Sequence, residues 1–176
     1  ALKIFTNRHP KKFLSQLVSG QLDLDRMDYL NRDSFFTGVA EGIIGYQRII
    51  HMLNIHDHQL VVEEKGIHSI EKFLQSRRIM YWQVYLHKTV LAAEKMLIHW
   101  YSLLDRDPGL LRANPALKKL RSGQFRPEEL PGLFASIDDT DIVFALKSGL
   151  DSKDPELRTL AGGLIHRRLF KCMLSD

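Results

Sequence analysis

The sequence predicts a mainly α-helical protein with one small β-hairpin. Apolar residues recur at intervals of three and four over most of its length, and Gly or Pro separates the successive periodic stretches. Residues 46–65 depart from this period, because two apolar runs there flank a polar turn. With 176 residues and an apolar content of 44%, the chain is long enough to bury a core.

Two helices are predicted in the first 40 residues. The segment 9–20 has Pro10 near its start, apolar residues at helical spacing, and Gly20 as a stop signal. The segment 23–36 begins with aspartates, which favour helix N-termini, and stops before Gly38. Its apolar residues recur three apart, so an apolar stripe runs along a helix that is otherwise dense with charge.

A β-hairpin is predicted for residues 46–65, where the polar turn HDHQ separates the apolar runs. The 3.6-residue period then returns, and neither Gly nor Pro interrupts it before Pro108. Residues 67–104 therefore predict one long central helix of about ten turns, or two collinear helices. Shorter helices are predicted at 108–120, 127–135, 138–150 and 155–169, and residues 1–176 are interpreted as a single domain.

Composition and charge exclude several classes of protein. The net charge of +4 suits a ligand that carries phosphate, but Lys and Arg are too scattered for a dedicated nucleic-acid binder. The single cysteine, Cys172, cannot form an internal disulfide or a Cys-rich zinc site, which favours the reducing cytoplasm. No window approaches the roughly 18 uninterrupted apolar residues of a spanning helix, so no membrane partner is expected.

One polar stripe lies on the predicted helix 23–36. Asp25, Tyr29 and Asp33 are each four residues apart and share a face, with Arg26 beside them. A carboxylate in this stripe could ligate a hard metal ion, while the guanidinium could bind phosphate and the phenol could contact a sugar or base. The alternative is a solvated helix face with ion pairs between Asp and Arg along the helix.

A second stripe lies on the predicted long helix, where Arg77, Tyr81, Tyr85 and Lys88 share a face. This combination of cations and phenol rings is suited to phosphate or nucleotide binding. The alternative is that the tyrosines form part of a half-buried core, which is the commoner position for tyrosine at helical spacing.

Two further features are interpreted as structural. His56 and Asp57 are residue types that bind divalent metals, but they lie in the polar turn of the predicted hairpin, where turn chemistry alone favours them. Cys172 lies in an apolar run and is interpreted as a small core residue rather than a nucleophile. The chain contains no P-loop, G-x-S-x-G or H-E-x-x-H motif.

Three segments resemble one known family in their order along the chain. LDLDRMDYLNRD, at 22–33, resembles the last metal-ligand helix of the HD-superfamily metal-dependent phosphohydrolases, in the branch of the deoxynucleoside triphosphate triphosphohydrolases. RRIMYWQVYLHK, at 77–88, resembles the downstream helix of that family, and HRRLFK, at 166–171, resembles the segment before its C-terminal portion. The resemblance implies that Asp25 is the final metal ligand and that the contacts to triphosphate and sugar are Arg26, Tyr29, Asp33, Arg77 and Tyr85.

The sequence departs from the family in its metal motif. The family has an upstream His and a His-Asp pair before the helix that bears Asp25, and no such pair precedes it here. The resemblance therefore implies a C-terminal half of a longer enzyme that hydrolyses a nucleotide or another phosphate ester, with 1–38 as the end of the catalytic core and 67–176 as a helical region. Such a half would hold an incomplete site for a divalent metal of unknown identity and would be inactive alone. The resemblance identifies no catalytic residue in it.

An alternative function belongs to a different class. The chain could be a non-catalytic helical module for oligomerisation or regulation, in which the segment 67–104 packs against a second subunit. Apolar residues such as Phe73, Trp82, Trp100 and Tyr101 could supply that surface, although one intramolecular core would use them equally well. A homo-oligomer is expected in either case.

Overall fold

The computed structural model describes residues 1–112 and 114–173, and it confirms a mainly helical chain with one small antiparallel hairpin. The chain divides into two compact units, Ala1–His87 and a second that begins at Lys88. No helix in the described residues is long and apolar enough to cross a bilayer.

The first unit has a core formed mainly by α3 and α5. Leu30 of α3 and Phe73 of α5 are fully buried in it. Ile49 and Ile44 from the intervening segment complete the same cluster. The helices of this unit are α1 (Leu2–Phe5), α2 (Lys12–Ser19), α3 (Leu24–Thr37), α4 (Tyr46–Met52) and α5 (Ile67–Met80), and its strands are β1 (Leu53–His56) and β2 (Gln59–Val62).

The helix α3 begins and ends at residues suited to those positions. The Asp23 side chain accepts a hydrogen bond of 2.8 Å from the backbone N–H of Arg26, which satisfies one of the free donors at the helix start. Gly38 ends the helix in the left-handed conformation, with φ of 74°, which glycine adopts without steric cost. Met27 and Leu30 turn inward, so the opposite face of α3 carries the polar residues.

The predicted hairpin is shorter than its predicted bounds. Tyr46–Met52 forms the helix α4 instead of a strand, because Ile49 is then completely buried in the core of the unit. A short apolar run fits a buried helix turn and a strand equally well, so periodicity alone does not separate them. The strands begin only at Leu53 and pair in antiparallel register, with Leu53 opposite Val62.

The turn of the hairpin is explained by its backbone. Asp57 and His58 connect the strands, and both have positive φ, at 46° and 62°. A two-residue loop of this kind matches the twist of the strands and favours Asn and Asp. The His56 and Asp57 side chains are both exposed, so the turn interpretation of this pair agrees with the structure.

The predicted long helix is interrupted. Helix α5 ends at Met80, and Tyr81–Tyr85 forms a π-helical turn in which the N–H of Leu86 donates to the carbonyl of Tyr81 at 2.8 Å. The next helix begins at Lys88, which is the first residue of the second unit. Of the two alternatives predicted for residues 67–104, one continuous helix is wrong, because two α-helices are separated there by residues 81–87.

The second unit packs its helices around a fully buried tryptophan. Trp100 lies with Leu157 and Ala161 in a single apolar cluster. A side chain at Gly149 would meet Ala161 and Trp100 at 3.1 and 3.3 Å, so glycine permits the close approach of two helices there. The helices of this unit are α6 (Lys88–Ser102), α7 (Pro115–Ser122), α8 (Leu130–Ala135), α9 (Asp139–Gly149) and α10 (Pro155–Ile165).

Burial corrects part of the surface suggested for an oligomerisation module. Phe73 and Trp100 are both fully buried, each in the core of its own unit, so neither is available to a second subunit. Tyr101 is half-buried, with the Arg121 guanidinium 5.1 Å from its ring centre. Trp82 alone among the four suggested residues is largely exposed.

Candidate functional site

Five polar and aromatic side chains of the first unit gather where α3 lies against α5 and the π-helical turn. The Tyr85 hydroxyl donates to Asp33 Oδ2 at 2.7 Å, and the Tyr85 ring meets the Tyr29 and Tyr81 rings edge-on, with centroids 6.0 and 5.2 Å apart. The Arg77 guanidinium lies 5.3 Å from the centre of the Tyr81 ring. We call Tyr29, Asp33, Arg77, Tyr81 and Tyr85 the tyrosine cluster.

Helical spacing and the π-helical turn together build this cluster. Tyr29 and Asp33 are four apart on α3 and therefore occupy one face. Over an uninterrupted α-helix, residues at i, i+4 and i+8 drift steadily around the axis. The wider turn at Tyr81–Tyr85 counters that drift, so both tyrosine rings remain in contact while the Tyr85 hydroxyl reaches Asp33.

Tyr85 is a neutral hydrogen-bond donor. Burial raises the pKa of its phenol, and the hydrogen bond to the Asp33 carboxylate raises it further. The proton therefore remains on Tyr85 across the physiological range. The Asp33 carboxylate keeps one oxygen, Oδ1, that no side chain of the described residues engages.

Arg77 is a cation without an acidic partner. Side-chain hydrogen bonding to Tyr29 raises its pKa, with a smaller contribution from Tyr81. Its Nε is buried and has no hydrogen-bond acceptor, and no carboxylate in the described residues pairs with it. A buried guanidinium N–H without an acceptor costs free energy. The accessible part of the same side chain lines a cavity, where its other N–H groups can donate to a ligand.

Asp25 and Arg26 lie on the first turn of α3, apart from the contacts of the tyrosine cluster. Arg26 contacts Asp23, with 3.5 Å between Nε and Oδ2, and reaches the carbonyl of Gln21. Asp25 is exposed, and its side chain has no hydrogen bond or ion pair within the part of the chain that the structure describes. The structure thus brings together Tyr29, Asp33, Arg77 and Tyr85 but adds neither Asp25 nor Arg26 to them.

The described residues do not complete a metal site. Across 1–112 and 114–173, no three His, Cys, Asp or Glu side chains lie close enough to hold one ion. A hard divalent cation takes several oxygen ligands, and Asp25 offers a single carboxylate. This chain alone therefore does not fit the divalent metal that the family resemblance implies.

A cavity of about 320 Å³ opens beside Arg77. Trp82 is the most exposed of its apolar and aromatic lining residues, and the Arg78 guanidinium lies over that indole, 4.4 Å from the ring centre. The sequence contains a signal for this contact, because Arg and Trp are four apart on one helix face. We call it the Trp82 cavity, and its lining residues are Leu74, Arg77, Arg78, Tyr81, Trp82 and Leu86.

Two polar residues of α3, absent from the sequence prediction, hold the segment that follows the helix. The Asn31 Oδ1 accepts from the backbone N–H of Ile44 at 3.1 Å. The hydroxyl of the buried Ser34 donates to the carbonyl of Val39. Both contacts join α3 to residues that follow it, so they fix the helix that carries Tyr29 and Asp33.

Comparison with known proteins places this chain beside HD-type proteins. Residues 44–108 match the family model described as the HD associated region. A crystal structure of a phosphohydrolase from Bacteroides thetaiotaomicron is 46% identical, with a TM-score of 0.83 over 97% of this chain and 44% of that chain.

Curated relatives give the same picture. The uncharacterized protein YwfO of Bacillus subtilis is 31% identical over 173 residues, which cover 96% of this chain and 39% of that protein. The deoxynucleoside triphosphate triphosphohydrolase SAMHD1 homolog of Dictyostelium discoideum is 24% identical over 91% of this chain and 32% of its own length. The chain thus spans less than half the length of these relatives, and the matches support an HD-like phosphohydrolase.

Proposed function

We propose that this chain is the C-terminal part of a metal-dependent phosphohydrolase of the HD type, and that its tyrosine cluster binds the phosphates and sugar of a nucleotide. The observation that carries the proposal is Arg77, whose charge has no acidic partner among the described residues and whose half-buried side chain lines an open cavity. A phosphate group that enters the cavity can accept hydrogen bonds from the accessible guanidinium N–H groups and balance their charge.

Arg77 binds the phosphate chain in this proposal, and Tyr29 orients it. The Tyr81 ring, whose centre lies 5.3 Å from the Arg77 guanidinium, and the neighbouring Tyr29 phenol hold this side chain in place before a ligand arrives. Charge that develops on phosphate oxygens during hydrolysis is then met by a donor that does not have to reorganise. Arg26 is a second phosphate contact of smaller effect, since Asp23 already matches part of its charge.

Asp33 and Tyr85 contact the sugar. Asp33 Oδ2 accepts from Tyr85, which fixes the carboxylate and leaves Oδ1 to accept from a ligand hydroxyl. Because Tyr85 stays protonated, the pair presents one negative charge rather than two. A sugar hydroxyl is a matching donor, and a deoxynucleoside triphosphate, the substrate class in the name of the Dictyostelium relative, carries both groups.

Asp25 supplies one carboxylate ligand to a divalent metal in this proposal. Parts of the protein outside this sequence supply the other ligands, in keeping with the share of its relatives that the chain covers. A divalent metal in such an enzyme activates water and offsets phosphate charge.

Calorimetric titration of inorganic tripolyphosphate tests the role of Arg77. We expect Arg77→Met to weaken binding about a hundredfold, because it removes a charge-assisted contact. The matched control is Arg32→Met, since Arg32 is exposed on α3 and pairs with Asp28 at 3.0 Å. Equal affinity of both variants and the unmodified protein would contradict the proposed phosphate site.

A further inference from the structure

The Trp82 cavity lies against the proposed phosphate site. Arg77 belongs to both, because it contacts Tyr81 of the tyrosine cluster and also lines the cavity. Tyr81 also belongs to both, since it lines the cavity and its ring contacts that of Tyr85. A nucleotide whose phosphates reach Arg77 can therefore place its base in the cavity, with the sugar that joins them on the side of Tyr81 and Tyr85. The other lining residues determine which group the cavity accepts.

The lining favours a flat, apolar ring that is attached to an anion. Leu74 and Leu86 offer apolar walls, and Arg78 adds a second cation beside Arg77. None of the described residues that line the cavity is acidic, so a cationic ligand would find no partner among them. Trp82 supplies a broad aromatic face on which planar rings stack.

Trp82 is held in position yet open to a ligand. The Arg78 guanidinium, 4.4 Å from the indole centre, makes a cation–π contact that limits rotation of the ring. The side chain nevertheless keeps 61% of its surface exposed, which is unusual for the largest apolar residue. An exposed aromatic ring beside unmatched cations is the arrangement that nucleic-acid-binding proteins use to stack single bases.

We propose that the Trp82 cavity is the base-binding pocket of this protein, in which the nucleobase stacks on Trp82 while the attached phosphates bind Arg77. This inference rests on the proposed function and adds to it the residues that recognise the base. Stacking depends on the aromatic face more than on hydrogen bonds, so the pocket accepts different bases and favours purines, whose faces are larger.

The fluorescence of the full chain gives a direct readout. The sequence contains two tryptophans, Trp82 and Trp100, and Trp100 is completely buried in the core of the second unit. We expect dATP and dGTP to quench the emission of Trp82, and tripolyphosphate to leave it nearly unchanged. In Trp82→Phe, where Trp100 is the remaining emitter, the quenching should disappear.

Calorimetry on matched variants separates base binding from phosphate binding. Trp82→Leu should weaken dATP binding about five- to tenfold, the lower end of the effect of one stacking contact, and leave tripolyphosphate binding unchanged. Trp82→Phe should fall between Trp82→Leu and the unmodified protein. Phe36→Leu removes another exposed aromatic ring of the first unit, outside the cavity, and should change neither affinity.

The outcomes distinguish this inference from the proposed function. If Arg77→Met weakens tripolyphosphate binding while Trp82→Leu leaves dATP affinity intact, the phosphate site stands and the base pocket is wrong. If Arg77→Met weakens neither ligand, the proposed function itself fails. If Trp82→Leu changes the sedimentation of the protein and not its affinity for dATP, Trp82 is an interface residue and the base pocket is wrong.

Discussion

Two polar clusters of this chain differ in whether their charges are matched. In the second unit, Glu156 accepts from Arg106 and contacts the imidazole of His99, both at 2.8 Å, and Asp154 lies 3.6 Å from Arg106. In the first unit, Arg77 has no carboxylate partner and leaves its Nε without an acceptor. The matched cluster of the second unit needs no ligand to complete it, whereas the tyrosine cluster of the first unit does.

The matched cluster has a structural role. Asp154 caps α10, because its carboxylate accepts from the backbone N–H groups of Glu156 and Leu157 at 2.9 and 3.0 Å. Arg106 and His99 then tie the same helix end to the residues around α6. A cluster whose groups satisfy one another fixes a helix, and a cluster with an unsatisfied cation points to a ligand.

The largest expected effect is on the stability of the second unit, which we interpret as structural. Trp100→Ala should lower its free energy of unfolding by about 3–5 kcal/mol, because a fully buried indole leaves a large cavity. Trp82→Ala, at an exposed position, should cost less than about 1 kcal/mol. Urea unfolding measures both, and equal losses would contradict the assignment of Trp100 to a core.

The second effect is on turnover by the whole protein. Arg77→Met should lower phosphate release from a deoxynucleoside triphosphate about a hundredfold, near 2.7 kcal/mol in the barrier. Its melting temperature should stay close to that of the unmodified protein, since Arg77 makes no ion pair with any residue that the structure describes. Arg106→Met should lower the melting temperature and leave turnover unchanged, because it breaks the matched network and removes no contact to the proposed ligand. A large loss of turnover in Arg106→Met would erase the distinction between the two clusters.

Sequence patterns predicted the parts of the site that depend on single helices. The aspartates and Gly38 defined α3 within two residues of its bounds, and four-residue spacing placed Tyr29 with Asp33 on one face. The same spacing placed Arg77 with Tyr85 on another helix. That these two faces meet depends on how α3 packs against α5, which helical periodicity alone does not determine.

Two differences between prediction and structure arise from packing. The π-helical turn at Tyr81–Tyr85 leaves no mark in the apolar period, since its advantage comes from ring contacts with a distant helix. Tyr46–Met52 was predicted as part of the hairpin, but it forms a helix, because Ile49 is then completely buried in the core. Both features are set by tertiary contacts, which override local preference.

A smaller effect concerns the hydrogen bond between Tyr85 and Asp33. Tyr85→Phe keeps the ring and removes the donor, so unfolding free energy should fall by about 1 kcal/mol and nucleotide affinity about fivefold. Tyr101→Phe is the control, because the Tyr101 hydroxyl makes no hydrogen bond within the described residues. Unchanged affinity in Tyr85→Phe would show that this pair shapes the fold without contacting the sugar.

The smallest effect is a dependence of the second unit on acid. Contact with His99, and then with Arg106, lowers the pKa of Glu156 below its ordinary value of 4.5. A carboxyl with a lowered pKa in the folded state stabilises that state above its ordinary pKa, and the stabilisation disappears as pH falls through the lowered value. The melting temperature should therefore decrease as the pH is lowered beyond about 4.5. Glu156→Gln should reduce this pH dependence and should lower the melting temperature slightly at neutral pH. Glu128→Gln, at an exposed carboxylate without a partner in the described residues, should leave the pH profile unchanged. The expected change in melting temperature is small, because the ion pairs of Glu156 are exposed. If Glu156→Gln and Glu128→Gln gave the same dependence of melting temperature on pH, the matched cluster would be held by the Asp154 cap alone.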